Sequence, residues 1–183
     1  MDKFVSRAGA KLEFALQKFN IDVKDLICAD FGSSTGGFVD CLLQRGASKV
    51  YSIDTAYGEL AWTLRNNPKV VVLERTNAMH VTLPEKVDFI SVDTSWTKQK
   101  LVLPNVIANL KPGGIIISLI KPHYESPREF LIKGKLQEEK IKEVLDYVKK
   151  DIESLNLKVI DIVESPILGE KGKNKEYLAQ ITL

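Results

Sequence analysis

Five short apolar runs, LICADF, KVYSID, VVVLE, VDFISVD and IIISLI, lie between residues 26 and 120. Each has the length of a strand and is too short to be a buried helix. Helical patterns separate most of them. Residues 6–19, SRAGAKLEFALQKF, set Leu12, Ala15, Leu16 and Phe19 on one helical face, with Ser6 as the expected N-cap. Residues 37–45 read as a helix ended by Gly46, and residues 59–66 as one stopped before Pro68. Residues 101–110 read as a helix closed by KPGG. LQEEKIKEVLDYVKKDIESL is the clearest helix, with an apolar stripe of Ile141, Val144, Leu145, Val148 and Ile152. Strands alternating with helices predict a parallel sheet covered on both faces. The end of the chain differs. KVIDIV and EYLAQITL are joined by the polar loop SPILGEKGKNK, with no helical pattern between them. They are expected to pair as a hairpin. The fold class is therefore α/β: a doubly wound, seven-stranded sheet whose last strand is antiparallel.

The loop after the first run, DFGSSTGGF, places Asp30, Gly32, Ser33, Ser34, Gly36, Gly37 and Phe38 where ligands bind in such sheets, at the carboxyl ends of strands. Glycines at 32, 36 and 37 do not form a GxGxxG fingerprint, because Ser34 stands where the second glycine belongs. A dinucleotide needs that glycine, since its pyrophosphate presses on the backbone. S-adenosylmethionine has no phosphate and makes a looser demand. A seven-stranded doubly wound sheet with one antiparallel strand is also the Rossmann-like fold of most methyltransferases that use it. Asp54, with Thr55 beside it, ends the second run about twenty residues on, where a carboxylate meets ribose hydroxyls. Thr76 and Asn77 follow the third run, and the amide of Asn77 matches the donors and acceptors of an adenine edge. These residues are the expected cofactor contacts, together with Asp93. NAD is the competing cofactor.

Four ionisable residues stand out. Lys11 lies on the first helix, opposite its apolar stripe or at its edge. Asp93 ends the fourth run, Lys121 the fifth, and Glu176 begins the last strand. If the fourth and fifth strands are neighbours, Asp93 and Lys121 emerge side by side. Burial makes a lysine easier to deprotonate, and a carboxylate opposes that while aiming it. The pair reads equally as a proton acceptor with its orienter or as a plain salt bridge.

VSRAGAKLEFAL, DFGSSTGGFVDCLLQRGASKVYSID, YGELAWTLRNNPKVVVLERTN, KLVLPNVIANLKPGG and LIKPHYE together resemble the catalytic domain of the TlyA family. These are ribose 2′-O-methyltransferases of ribosomal RNA, once labelled haemolysins, within the wider FtsJ-like (RrmJ-like) group. The resemblance covers nearly the whole chain and implies one methyltransferase domain over residues 1–183. It implies S-adenosyl-L-methionine as cofactor and RNA, a cytidine of ribosomal RNA, as substrate. The group's Lys-Asp-Lys-Glu tetrad falls on Lys11, Asp93, Lys121 and Glu176, with Lys121 as base. Two departures stand out. The family usually carries a small RNA-binding domain ahead of the helix at residues 6–19, for which there is no room after Met1. Its aspartate-valine-serine-phenylalanine is here Asp93-Thr94-Ser95-Trp96. Trp96 either stacks on a base or packs under the following helix.

A net charge of +2 over 183 residues is too slight to indicate nucleic-acid binding by itself. Local groups must hold RNA: Lys3, Arg7 and Lys11; Lys133, Lys135 and Lys140; Lys171, Lys173 and Lys175; with His123 and Tyr124 near a base. Cys28 and Cys41 read as reduced packing residues of a cytoplasmic protein. No apolar run has the roughly 18 residues of a membrane span, and no signal-peptide core is visible. Two isolated histidines, of which His80 reads as a loop residue, give no metal-ligand spacing. The rival readings are a methyltransferase acting on a small molecule or protein, and a non-enzymatic RNA-binding or membrane-active protein.

Overall fold

The computed structural model describes residues 3–170 and 172–183. Its strands are β1 (Ile27–Phe31), β2 (Lys49–Ile53), β3 (Val70–Leu73), β4 (Val87–Val92), β5 (Leu110–Ile120), β6 (Leu131–Ile132), β7 (Lys135–Leu136), β8 (Lys158–Glu164) and β9 (Tyr177–Thr182). Its helices are α1 (Ala8–Lys18), α2 (Gly37–Gln44), α3 (Trp62–Arg65), α4 (Gln99–Asn109), α5 (Pro122–Glu125) and α6 (Ile141–Glu153). Seven strands form one sheet in the order β3-β2-β1-β4-β5-β9-β8, and β6 and β7 pair as a separate hairpin. β1 to β5 are parallel, and β9 runs antiparallel to both β5 and β8. The chain winds outward from β1 to β3, then crosses back to β4 on the other side of β1. A cleft must open where the order reverses, outside the carboxyl ends of β1 and β4.

Alternation along the strands feeds two cores. On β4, Phe89 packs with Leu12 and Leu16 of α1 and Phe38 and Leu42 of α2, while Ile90 faces Leu103 and Val106 of α4 and Val144 and Val148 of α6. Successive strand side chains point to opposite faces, so a continuous apolar run is what a doubly covered strand requires. Cys28 and Cys41 are both buried and free, and burial pushes the Cys28 thiol up to about 12.

The structure departs from the sequence reading at several boundaries. Ser6 does not cap α1: Arg7 takes that position, with no side-chain cap. The preceding segment instead crosses α2, where the Val5 N–H donates to Asp40 at 2.8 Å and Phe4 is buried against Gly9. α3 covers only half the expected span, because Ala61 is held extended with its N–H on the Thr35 carbonyl. KPGG does not follow a helix as a loop but lies inside β5, since Leu110 already pairs with Val87 before a register shift. The last long helix loses its first residues to β7 and a 3₁₀ turn at Glu138–Lys140.

α1 and α2 are joined by a charged clamp. Arg45 donates Nε and Nη2 to Glu13 at 2.7 and 2.8 Å, and Lys3 and Gln17 donate to the same carboxylate. The Arg45 hydrogen bonds outweigh burial and bring Glu13 down from 4.5 to about 2. A carboxylate with a depressed pKa adds stability that is complete above its unfolded value and disappears as pH falls through its folded one. Glu13→Gln should therefore flatten the loss of stability between pH 4.5 and about 2 in urea melts run across pH. An acid limb identical to that of the unmodified chain would show that the clamp contributes nothing.

Candidate active site

The reversal point holds an open cleft of about 750 Å³. Its floor is where β1 and β4 end. Gly32 has φ +94°, and a Cβ there would lie 2.4 Å from the Asp93 carbonyl oxygen. Only glycine lets the two strand ends come this close. The Asp93 N–H donates to the Phe31 carbonyl at 2.9 Å, and the Gly32 N–H to that of Ile53 at 2.8 Å, so β1, β2 and β4 are locked together here. Gly37 serves a second close approach: a Cβ would meet Ser6 Oγ at 2.3 Å and the Gly9 nitrogen at 2.8 Å. That packing brings α1, and Lys11 with it, against the cleft.

Two lysine–carboxylate pairs stand in the cleft. Lys121, just past β5, reaches Asp93, just past β4, with Nζ to Oδ1 at 2.5 Å. Lys11 meets Glu176, just before β9, in a short contact between Nζ and Oε2. Lys11 is 6% exposed and Glu176 4%. Of the two places open to it in the sequence, Lys11 takes the edge of the apolar stripe beside Leu12 and Ala15, and a buried partner 165 residues away takes its charge.

The other expected site residues sort by place. Asp30, Ser33, Ser34, Gly37, Phe38, Asp54, Thr55, Thr76 and Asn77 line the cleft with Gly32. Gly36 does not: its missing side chain makes room for Leu60 and Leu64. Asp54 accepts the N–H groups of Ser34 at 2.7 Å and Ala56 at 2.8 Å, which ties it to the glycine loop. The Asn77 carbonyl oxygen accepts the Met79 N–H at 2.9 Å, so the side chain braces its own turn and leaves its NH₂ to donate. Asp30, on the floor, accepts from Ser91 Oγ at 2.6 Å through Oδ1, while Oδ2 is buried with no partner.

Beyond the lysines the wall opens. Trp96 is 77% exposed at the rim, so it does not pack under α4. His123 and Tyr124 of α5 also line the cleft, with their rings 4.1 Å apart, and burial lowers the pKa of His123. The expected basic surface is thinner than its lysine count. Lys3 pairs with Glu13, Lys140 with Glu143 and Lys175 with Glu138. Arg7, Lys133, Lys135 and Lys173 are exposed. Lys171 lies outside the described residues. No metal-holding group of His, Cys, Asp or Glu occurs among the described residues.

Sequence reading missed Asn174. Buried at 4% exposure, it accepts the Leu136 N–H, donates to the Gly134 carbonyl and accepts the Gly169 N–H on its own carbonyl. It thereby pins the β6–β7 hairpin to the loop that delivers Glu176. In a polar run such as GEKGKNK nothing distinguishes this asparagine from a turn residue.

The Bacillus subtilis protein YqxC, provisionally named an rRNA methyltransferase, is 46% identical over 134 residues, which is 69% of this chain and 47% of YqxC. The chain therefore spans about half the length of that relative. The 16S/23S rRNA (cytidine-2′-O)-methyltransferase TlyA of Mycobacterium tuberculosis is 38% identical over 181 residues, covering 95% of this chain and 66% of TlyA. A solved structure from Streptococcus thermophilus, provisionally named a hemolysin, superposes with a TM-score of 0.94 at 36% identity, over 99% of this chain and 67% of that one. The sequence profile of FtsJ-like methyltransferases matches residues 4–181, and the chain belongs to that family.

Proposed function

We propose that the protein transfers a methyl group from S-adenosylmethionine to a ribose 2′-hydroxyl of ribosomal RNA. The observation that carries this reading is the convergence of Lys11, Asp93, Lys121 and Glu176, from four separate segments, on one open cleft. The name of the mycobacterial relative supplies the RNA and the cytidine.

The cofactor assignment rests on charge. Asp30, Asp54 and Asp93 all reach the cleft. With Asp93 paired to Lys121, a pyrophosphate would still meet Asp30 and Asp54 there without a cation between them, whereas a cationic cofactor is attracted to that side. This argues against NAD. The unpartnered Oδ2 of Asp30 likewise calls for a donor. Asp54 is placed to receive ribose hydroxyls, and Asn77, through its NH₂, to donate to an adenine. S-adenosylmethionine supplies a methyl group activated by its sulfonium.

The protein has alignment and one proton to manage. Alignment of reacting groups accounts for several kcal/mol in such reactions. Lys121 Nζ, in its neutral form, accepts the hydroxyl proton, and Asp93 aims it. Lys11 and Glu176 form a buried, neutralised pair that fixes the ribose side of the cleft. Trp96 stacks on a base, a contact worth about 1–3 kcal/mol. Arg7, Lys133, Lys135 and Lys173 supply phosphate contacts. No helix among the described residues is long and apolar enough to cross a membrane.

Incubation with labelled S-adenosylmethionine and ribosomal RNA, followed by mapping of the labelled nucleotide, tests the whole reading. Label on a base or on protein would overturn it. Asp54→Ala should weaken cofactor binding by about 1–3 kcal/mol in calorimetry, the cost of charge-assisted hydrogen bonds.

Lys121→Ala should abolish transfer and leave cofactor affinity intact. Lys121→Arg should fail nearly as badly, because a guanidinium keeps its proton at any workable pH. Single-turnover rates should rise with pH in the unmodified enzyme. Full activity of the arginine variant would remove Lys121 from the role of base.

RNA affinity should fall steeply with salt as counterions are released. Trp96→Ala should raise KM for RNA without moving the affinity for the cofactor. Salt-independent binding would point to a small-molecule acceptor instead.

A further inference from the structure

The segments that leave β4 and β5 carry the two partners of the Lys121–Asp93 pair. The ladder between these strands stops at Val92 and Ser118, so Asp93 and Lys121 both lie past it. Beyond that point a buried cluster takes over. Gln99, the first residue of α4, is 3% exposed. Its Oε1 accepts from Ser118 Oγ at 2.5 Å, and its Nε2 donates to the Leu119 carbonyl at 3.3 Å. Its backbone N–H donates to Glu125 Oε1 at 2.8 Å, and Lys98 Nζ donates to the Glu125 carbonyl at 3.1 Å. Glu125 ends the stretch LIKPHYE, yet neither it nor Gln99 lines the cleft. Burial raises the Glu125 carboxyl above its ordinary pKa, more than the Gln99 N–H and the charge of Lys98 lower it. Filling space there with an acid is costly, and the hydrogen bond it makes is what the position gains.

We propose that Gln99 and Glu125 are positioning residues, which hold Lys121 on the acceptor hydroxyl while its bond to Asp93 weakens. The inference rests on the reading of Lys121 as the base. In that reading Lys121 Nζ is neutral when it meets the hydroxyl and charged afterwards. A carboxylate holds a neutral amine less firmly than an ammonium, since charge-assisted hydrogen bonds are about twice as strong as neutral ones. Asp93 therefore grips least at the moment when aim matters most. The cluster closes a ring whose own links keep their charge in that step. The ring runs from Asp93 along the loop to Lys98 and Gln99, across to Glu125, and back through α5 to Lys121. Gln99 fixes the backbone two residues before Lys121, and Glu125 ties down the segment four residues after it.

The test sets single-turnover methyl transfer, at saturating RNA and cofactor, beside calorimetry of S-adenosylhomocysteine. Glu125→Ala should slow transfer by about tenfold to a hundredfold, the range expected for a misplaced reacting group. Affinity and stoichiometry for S-adenosylhomocysteine should match those of the unmodified protein, and so should the affinity for RNA. Glu125→Gln keeps an oxygen for the Gln99 N–H and should recover most of the rate. Gln99→Met keeps the length of the side chain, removes both of its hydrogen bonds, and should slow transfer to a similar extent. Because the two residues serve one ring, the double variant should be little slower than either single one. An unchanged rate in Glu125→Ala, or a loss in Glu125→Gln equal to that in Glu125→Ala, would overturn the positioning role alone. Loss of rate matched by loss of binding stoichiometry in both Glu125→Ala and Gln99→Met would also overturn it, since that marks a site that no longer folds. Where only Glu125→Ala fails to fold, Gln99→Met decides: a full rate overturns the role, and slowed transfer with intact cofactor binding supports it. No transfer by the unmodified protein would overturn the functional reading and this inference with it.

Discussion

Lys11 and Glu176 are two charges with almost no water around them, 165 residues apart in sequence. Neither is tolerable alone. Removing one partner of such a pair leaves a buried charge uncompensated, at a typical cost of about 3–5 kcal/mol. The pair therefore closes the fold end to end: α1 is held against the cleft by the entry to β9. Around that closure the rest of the site is assembled by close backbone approach. Gly37 admits α1 to α2, and Gly32 admits the end of β4 to the end of β1. The charges and the glycines act together, since a helix kept away by one extra methyl group would leave Glu176 without its cation.

The cleft is electrostatically divided. Its β1–β2 side is acidic, with Asp30 and Asp54, while elsewhere the lining carries Arg7 with Glu170 and the aromatic Trp96 and Tyr124. Between the two sides stand the lysine–carboxylate pairs, each close to neutral as a unit. Such a division suits a cation bound deep and a polyanion bound shallow. The two ligands would meet across a boundary where the protein's own charge cancels.

Much of this was legible in the sequence because a doubly covered strand is apolar throughout. LICADF, KVYSID, VDFISVD and IIISLI correspond to β1, β2, β4 and β5 for that reason. The acidic residues that close those runs fall at strand ends, which is why Asp54 and Asp93 come to line the cleft. Properties set by distant partners were not legible. Helical periodicity leaves Lys11 either opposite the apolar stripe or at its edge, and its burial against Glu176 decides between them. The short α3 follows from a bond to Thr35, and the placement of KPGG in β5 follows from pairing with Val87. The glycine loop was read as a ligand cradle throughout, yet Gly36 and Gly37 make room for neighbouring protein atoms as well. Glycine announces that something comes close without saying what.

β9 follows the other six strands of its sheet in sequence, yet it lies inside that sheet, between β5 and β8. This has a consequence for the timing of biogenesis. Until residues 177–182 emerge from the ribosome, β8 has no strand to pair with and β5 has an open edge. Glu176 is equally late, so Lys11 waits unpaired on a helix synthesised 165 residues earlier. Long-range pairing of this kind is slow and leaves exposed edges meanwhile. Until then the sheet has a gap, and the cleft takes shape only once residues 176–182 are in place.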